Sequence, residues 1–157
     1  MVVIEYVLNG AKCKDDIPEG NTLLEHLRGK GCFSVKCGCE TSNCGLCTVW
    51  LDRRPVLSCS VPALRIEGRE VITLEGLQEQ AAGFGKFMAR QGADQCGFCN
   101  PGFIMNVLAM VEELDDPDEQ QINEYLAGNL CRCTGYVSHM RAIKAFIAAR
   151  QAGEEMP

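Results

Sequence analysis

The sequence predicts an α+β protein of two parts, a sheet domain over residues 1–76 and a helical domain over residues 77–157. Short segments of alternating apolar residues, one short helical segment and a long loop fill the first part, as in an α+β sheet domain. Apolar residues recur at helical spacing through the second part. Most of the eleven cysteines fall into two groups, one in each part.

The sheet domain begins with a predicted hairpin. Val2 to Leu8 alternates apolar and other residues, which predicts a strand, and Asn9-Gly10 is the most favoured two-residue hairpin turn. Ala11 to Lys14 is therefore expected to pair back onto the first strand. Thr22 is a suitable N-cap for a short helix with three leucines on one face, and Gly29 is expected to end that helix.

Three more strands are predicted after the cysteine-rich loop. They are Thr48 to Leu51, Val56 to Ser60 and Val71 to Leu74, and the first two are joined across Asp52 to Pro55. The strands, the short helix and the long loop together predict a sheet domain that ends at about Gly76.

Four helices are predicted in the second part. Gln78 to Arg90 forms the first, and Pro101 to Leu114 is apolar on nearly all sides, so it is expected to be central and buried. Asp118 and Gln121 form a capping box that starts the third helix. The last helix carries a predicted buried stripe of Val137, Met140, Ile143 and Ile147, and residues 151–157 are expected to form a loose tail.

Composition and charge exclude several classes of protein. The net charge of −6 argues against a nucleic-acid partner, because nucleic-acid-binding proteins are usually basic. The sequence has no 18-residue apolar stretch and no basic start followed by an apolar run, so we predict neither a membrane span nor a secretory signal. A cytoplasmic location is expected, where cysteines stay reduced.

The first cysteine group has the spacing of a plant-type ferredoxin. Cys39, Cys44, Cys47 and Cys59 give C-x4-C-x2-C followed by a distant cysteine. This spacing suits a [2Fe–2S] cluster, because one loop wraps three thiolates around the two irons. Gly38 and Gly45 allow the backbone to turn tightly beside the sulfurs.

The second cysteine group lies where two predicted helices begin. It combines Cys96-Gly-Phe-Cys99 with Cys131-Arg-Cys133. Asn100, before a proline, and Thr134, before a glycine, are expected to cap these helices. The positive ends of two helix dipoles would then point at one set of thiolates and stabilise a negatively charged cluster.

Disulfides and zinc are the alternative roles for the cysteines. Disulfides need an oxidising compartment, and the odd number of cysteines argues against them. Zinc is the stronger alternative, above all for the second group, because C-x2-C pairs are common in zinc sites. His26 and His139 are expected to pack at surfaces or interfaces and not to bind metal, and Cys13 and Cys32 to be small buried residues.

Three segments carry a resemblance to a known family. They are Gly38 to Cys59, Gln95-Cys-Gly-Phe-Cys-Asn-Pro-Gly-Phe and Gly128-Asn-Leu-Cys-Arg-Cys-Thr-Gly-Tyr136. In order and spacing they resemble the iron–sulfur subunit of the xanthine dehydrogenase/aldehyde oxidase family of molybdenum hydroxylases, over essentially the whole chain. The resemblance implies a β-grasp domain like plant-type ferredoxins, followed by a four-helix bundle domain, each holding one [2Fe–2S] cluster.

The resemblance also implies roles for single residues. Cys39, Cys44, Cys47 and Cys59 would bind an outer cluster nearer the flavin, and Cys96, Cys99, Cys131 and Cys133 an inner cluster nearer molybdenum. Gln95 and Cys133 would contact molybdopterin on a separate large subunit, and FAD would lie on a separate medium subunit.

The expected function is that of an electron-transfer subunit of an oxidoreductase complex. It would relay electrons from molybdopterin through two clusters to FAD and would have no catalytic site of its own, since no nucleophile–base pair or phosphate loop is evident. A free-standing ferredoxin-type carrier and a zinc-stabilised interaction module are the alternative functions.

The chain departs from the family pattern in four places, and one of them, Asn100 in place of the usual threonine, is expected to keep a good N-cap. Ser42 stands where a glycine is usual, and the next residue, Asn43, tolerates positive φ, which leaves a shifted turn open. Arg53 replaces the glycine of the usual Asp-Gly hairpin, which leaves that turn type open. Cys37 lies two residues before Cys39, but as a ligand it would leave a gap of six residues in place of four, so Cys39 is favoured.

Overall fold

A computed structural model describes residues 1–153 of the chain. Within these residues the chain forms five β-strands in one sheet and five α-helices, which confirms the predicted α+β class. None of these helices is long and apolar enough to cross a membrane. Residues 154–157, the end of the predicted helical domain and of the predicted tail, lie outside the described residues.

The strands form a mixed sheet. They are β1 (Val2–Leu8), β2 (Ala11–Ile17), β3 (Thr48–Leu51), β4 (Arg54–Leu57) and β5 (Glu70–Ile72). Their order is β2-β1-β5-β3-β4, with β1 and β5 parallel and all other neighbours antiparallel. The predicted hairpin turn is confirmed, since Leu8 pairs with Ala11 and both Asn9 and Gly10 have positive φ.

The turn between β3 and β4 differs from the prediction. It contains only Asp52 and Arg53, whose φ values are 49° and 64°, so both central residues are left-handed without a glycine. The Asp52 carboxylate holds this turn, because it accepts from the Arg69 guanidinium at 2.7 Å and from the Glu70 N–H at 2.9 Å. The prediction of β4 at Val56 to Ser60 is therefore wrong by about two residues.

The helices are α1 (Leu23–Gly29), α2 (Gln78–Arg90), α3 (Asn100–Glu113), α4 (Glu119–Leu126) and α5 (Val137–Gln151). Capping boxes start two of them. Thr22 and Glu25 bond reciprocally at α1, and Asp118 and Gln121 do so at α4. The predicted N-cap of α1 and the predicted capping box of α4 are thus confirmed.

The other two predicted caps are wrong. Asn100 is the first residue of α3, and its amide donates to the Asp94 carboxylate at 2.9 Å instead of capping the helix. Thr134 does not cap α5. The helix begins at Val137, directly after Tyr136, whose own backbone is left-handed with a φ of 69°. Both side chains form hydrogen bonds with neighbouring polar groups instead. Such local bonds of short polar side chains compete with capping of the helix backbone.

The buried face of α5 also differs from the predicted stripe. Val137 is 64% exposed, whereas His139, Ala142, Ile143 and Phe146 are buried. His139 therefore lies in the interior and not at a surface. Phe84 and Phe103 lie against this face, with Phe84 packing on Phe146 and Phe103 stacking on His139.

Strand β3 joins two hydrophobic cores. Val49 and Leu51 belong to the core of the sheet and α1, whereas Trp50 belongs to the core formed by the helices of the second half. The Trp50 indole N–H donates to the Met105 carbonyl of α3 at 2.9 Å. Successive residues of a strand point to opposite faces, so one strand of four buried residues serves both cores.

Candidate metal centres

The first cysteine group comes from two segments that flank the β3–β4 hairpin. Cys39, Cys44 and Cys47 come from the loop that precedes β3, and Cys59 comes from the short 3₁₀ turn that follows β4. Cys44 and Cys47 are 7% and 4% exposed, and the other two are half-buried. The fold therefore brings three residues of one loop and one distant residue to a partly covered site.

The loop backbone surrounds the Cys39 sulfur with N–H groups. The Asn43 N–H donates to Cys39 Sγ at 3.4 Å. Backbone N–H groups of Thr41, Asn43 and Cys44, together with the Cys44 thiol, lower the pKa of Cys39 to about 6. The left-handed residue of this turn is Ser42, with φ of 57°, so the turn does not shift to Asn43.

The four sulfurs of the first group lie in two pairs. The Cys39 and Cys44 thiols interact, and burial followed by contact with Cys59 raises the pKa of Cys47 to about 11. Ser42 Oγ lies 3.5 Å from Cys59 Sγ and ties the loop to the 3₁₀ turn. Each pair contains two of the four cysteines named by the ferredoxin spacing.

The remaining cysteines of the first half lie apart from these pairs. Cys37 is exposed, and its thiol points to the Cys39 carbonyl at 3.8 Å. Cys32 is buried as predicted, whereas Cys13 on β2 is only half-buried.

The second cysteine group comes from two loops, with Cys96 and Cys99 in the loop before α3 and Cys131 and Cys133 in the loop before α5. Its sulfurs form two pairs, each with one member from each loop. The sulfurs of Cys96 and Cys133 are 3.6 Å apart. Burial, followed by contact with Cys131, raises the pKa of the Cys99 thiol to about 12. The structure thus brings all four predicted residues to one place, with Cys96 and Cys133 at the surface.

Hydrogen bonds hold both the thiol and the backbone of Cys131. The Thr134 hydroxyl donates to Cys131 Sγ at 3.2 Å, and the Cys131 N–H donates to the Tyr136 hydroxyl at 2.9 Å. Burial acts to raise the pKa of Cys131, but the Thr134 hydroxyl and the N–H groups of Cys133 and Thr134 outweigh it, so this pKa is lowered. These hydrogen bonds therefore favour the thiolate form of Cys131 over that of Cys99, whose pKa is raised.

The two cysteine groups border one cavity. A space of about 430 Å³ is lined by Cys39 and Cys44 of the first group and by all four cysteines of the second. The Leu130 N–H donates to the Cys44 carbonyl at 2.9 Å, which joins the two loops directly. Each group offers four soft sulfur donors, a set that suits an iron–sulfur cluster or a tetrahedral zinc ion.

Comparison with known proteins decides between these metals at the level of the family. A family described as "[2Fe-2S] binding domain" matches residues 73–144. The xanthine dehydrogenase iron-sulfur-binding subunit of Escherichia coli O157:H7 is 43% identical in an alignment that covers 86% of this chain and 87% of that one. This chain belongs to the iron–sulfur subunits of the xanthine dehydrogenase/aldehyde oxidase family of molybdenum hydroxylases.

Other relatives of this iron–sulfur subunit differ in length. A chain of quinoline 2-oxidoreductase from Pseudomonas putida 86 superposes with a TM-score of 0.87 at 33% identity, with 98% of each chain covered. Xanthine dehydrogenase 1 of Arabidopsis thaliana is 39% identical over 87% of this chain. The subunit spans only 11% of the length of that plant enzyme.

The two residues predicted to contact molybdopterin lie at the surface of the iron–sulfur subunit. Gln95 and Cys133 are both exposed, and the Gln95 amide donates to the Gly92 carbonyl at 3.2 Å. Both therefore remain accessible to a partner, beside the second cysteine group.

Sequence reasoning missed several polar residues of the iron–sulfur subunit that touch the two loops. Thr134 was expected to cap a helix, and the roles of His139 and Asn129 were not foreseen. Asn129 is 7% exposed, and its amide donates to the Gly45 carbonyl at 3.4 Å. The position of Thr134 directly after the Cys-x-Cys pair was a usable signal, because a hydroxyl so placed can reach a ligand sulfur.

Proposed function

We propose that this chain is the electron-transfer subunit of a multi-subunit molybdenum hydroxylase. It relays electrons from molybdopterin on a large subunit, through two [2Fe–2S] clusters, to FAD on a medium subunit. The observation that carries the proposal is that one cavity is bordered by all four thiols of the second group and by two of the four thiols of the first. A single structural metal would need only one group of four thiols.

The proposed ligands are those of the two cysteine groups. Cys39, Cys44, Cys47 and Cys59 hold the outer cluster, and Cys96, Cys99, Cys131 and Cys133 hold the inner one. Each cluster supplies one-electron oxidation and reduction when bound. The chain's own residues bind iron through thiolates, donate hydrogen bonds to Cys39 and Cys131, and shield Cys44 and Cys47 from water.

The proposed division of the chain is a β-grasp domain over residues 1–76 and a helical four-helix bundle domain over residues 77–157. Two separate hydrophobic cores, one on the sheet and one among the helices, support it. A cytoplasmic location is part of the proposal, and the free state of all eleven cysteines, which lie within residues 1–153, suits a reducing compartment.

Substitution of one ligand tests the cluster assignment. In Cys131→Ser, one of two distinguishable cluster EPR signals should disappear while the other remains. Cys37→Ser is the matched control and should leave both signals intact, because Cys37 is exposed and outside the two pairs. Loss of neither signal in the first variant, or loss of a signal in the control, would overturn the ligand assignment.

Two simpler measurements separate the alternative functions. A free-standing carrier would purify alone, whereas the proposed subunit should co-purify with molybdopterin- and FAD-containing chains. A zinc-stabilised module would be colourless, whereas the proposed clusters make the protein red-brown.

Substitution of Gln95 tests the proposed contact with molybdopterin. In the assembled complex, Gln95→Ala should lower molybdopterin retention without changing the iron content of this chain, because Gln95 is exposed and binds no iron. Unchanged molybdopterin occupancy would contradict the contact.

A further inference from the structure

A buried histidine lies beside the second cysteine group. His139 is 2% exposed, and its ring stacks on Phe103 with the ring centroids 4.2 Å apart. A ring nitrogen of His139 and the sulfurs of Cys99 and Cys131 all lie within 4.8 Å of one another. Its Nε2 has no hydrogen-bond partner of good geometry within residues 1–153, although the backbone of Ala93 lies near enough to interact with the ring. Burial of a polar ring without full hydrogen bonding is costly, so a compensating role for the ring is expected.

Thr134 connects this histidine to a ligand sulfur. Its Oγ1 lies 3.3 Å from His139 Nδ1 and 3.2 Å from Cys131 Sγ. The Tyr136 N–H also donates to the same oxygen, at 3.3 Å. Three partners therefore surround one hydroxyl group.

The single proton of the hydroxyl limits the directions that these bonds can take. A threonine hydroxyl has one proton to donate and two lone pairs that accept. If the proton is donated to Cys131 Sγ, the oxygen must accept from the Tyr136 N–H and from His139 Nδ1. His139 then carries its proton on Nδ1, and its N–H keeps the hydroxyl turned towards the sulfur.

We propose that His139 is a positioning residue of the inner cluster site, which acts through Thr134 to hold a hydrogen bond on Cys131 Sγ. This inference rests on the proposed function, because it requires a cluster at the second cysteine group. Reduction adds negative charge to a cluster and its sulfurs. A hydrogen bond to a ligand sulfur therefore stabilises the reduced form, and His139 raises the reduction potential of the inner cluster.

Redox titration of the cluster-loaded full chain, followed by EPR at one fixed pH, tests this inference. His139→Phe keeps a ring that can stack on Phe103 but removes the donor, and it should lower the potential of the inner cluster only. Thr134→Val removes the hydroxyl and should lower the potential at least as much. The double variant should match Thr134→Val, because His139 has no effect once its intermediary is gone.

A matched control separates hydrogen bonding from packing. Phe103→Leu disturbs the stacked ring but leaves the Nδ1 donor, so the inner potential should shift less than in His139→Phe. If His139→Phe does not retain an inner cluster, His139→Gln takes its place, since its amide can donate to Thr134. A near-wild-type potential in that variant supports the inference, and a lowered potential overturns it.

Two further outcomes would also overturn the inference. One is an unchanged inner potential in His139→Phe. The other is an equal shift by His139→Phe in the wild-type and Thr134→Val backgrounds, which would show that Thr134 is not the intermediary. Absence of a second EPR signal in the wild-type protein is a different result, because it contradicts the proposed function itself.

Discussion

Gly45, in the first cysteine loop, has no room for a side chain. Its φ is +73°, and a Cβ atom there would lie 2.6 Å from the Asn129 amide nitrogen. Gly102 on α3 faces the same loop, and a Cβ there would lie 2.9 Å from the Leu46 Cα. The loop and the helical half therefore touch through backbone atoms, which only glycine permits.

A methyl group at Gly45 should destabilise the protein. Gly45→Ala adds left-handed strain and a steric clash, so we expect a loss of more than about 2 kcal/mol in the free energy of unfolding, measured by denaturant titration. Gly85→Ala is the control, since Gly85 lies inside α2 with no atom within 4 Å of the added Cβ. That variant should gain about 0.5–1 kcal/mol. Equal effects of the two variants would contradict the close contact.

His26 lies in a polar group between α1 and the first hairpin. The Tyr6 hydroxyl donates to Asp15 at 2.7 Å and lies 2.7 Å from His26 Nε2. Lys30 donates to the other oxygen of Asp15 at 2.9 Å. Burial is the main cause that lowers the pKa of His26 below its usual value of 6.5, although Asp15 opposes it.

A lowered histidine pKa predicts a pH-dependent stability. The unfolded chain binds the proton of His26 more readily than the folded chain, so this contribution is complete above pH 6.5 and is lost as the pH falls below it. In denaturant titrations, wild type should lose more stability than His26→Gln between about pH 7.5 and about pH 5.5. The glutamine amide can still donate to Tyr6, which makes this variant a fair comparison. Parallel losses in both proteins would contradict the prediction.

At this scale the ligand assignment stays a prediction, whereas the surroundings of the sulfurs were not foreseen. The cysteine spacings are local, and the structure shows close pairs among the predicted cysteines, Cys47 with Cys59, Cys96 with Cys133, and Cys99 with Cys131. The partners of those sulfurs depend on which elements pack together. His139 reaches the second group only because Phe103 of α3 stacks on it, and no local pattern encodes that contact.

Among the elements, the loop before α5 is fastened to the first cysteine loop by Asn129. Its side-chain amide donates to the Gly45 carbonyl at 3.4 Å, and its side-chain oxygen accepts from the Asn106 amide of α3 at 2.5 Å. One buried side chain therefore joins a loop of each half to a helix. Removing it would leave the Asn106 amide without this acceptor.

Loss of the Asn129 side chain should weaken the junction of the two loops. Asn129→Ala should cost about 1–3 kcal/mol in the free energy of unfolding, because buried polar partners lose their bonds. Denaturant titration and iron content per chain measure the effect. Gln120→Ala on the exposed surface of α4 is the control and should change stability by less than about 0.5 kcal/mol. An effect of Asn129→Ala as small as the control would count against this role.

The sequence predicted the number and type of these elements but not all their ends. Periodicity, the N-cap Thr22 and the capping box of Asp118 and Gln121 marked α1, α2 and α4, whose signals lie within or directly before the elements. The start of α5 was predicted wrongly because Thr134 bonds to Cys131 Sγ, and its buried face because Val137 points to solvent. The contact with a sulfur and the exposure of the first turn depend on the tertiary structure, and the local sequence signals for a helix start and a buried face do not contain them.

At the scale of the whole molecule, Trp50 couples the two cores. It is the only tryptophan, is 2% exposed, and belongs to the helical core although its strand belongs to the sheet. Its indole bond to Met105 is the polar part of this contact. The two halves are therefore expected to unfold together.

Shortening this side chain should lower the stability of both halves at once. Trp50→Phe removes a buried hydrogen bond and should cost about 1–3 kcal/mol. Far-ultraviolet circular dichroism reports the helices, and visible absorbance reports the clusters. Both signals should move to lower denaturant together, whereas Phe33→Leu, at a residue 62% exposed, should move neither. A shift in only one signal would contradict the coupling.

The bond from the Leu130 N–H to the Cys44 carbonyl has a consequence for how such a chain can diversify. Main-chain atoms, together with the side-chain-free Gly45 and Gly102, set the separation of the two sulfur groups, whereas Ser42, Thr134 and His139 shape each group separately. If the two groups hold the proposed clusters, substitutions at those side chains would change one redox centre without altering its distance to the other. A single scaffold would then serve partner enzymes with different energetic demands at a constant spacing for electron transfer.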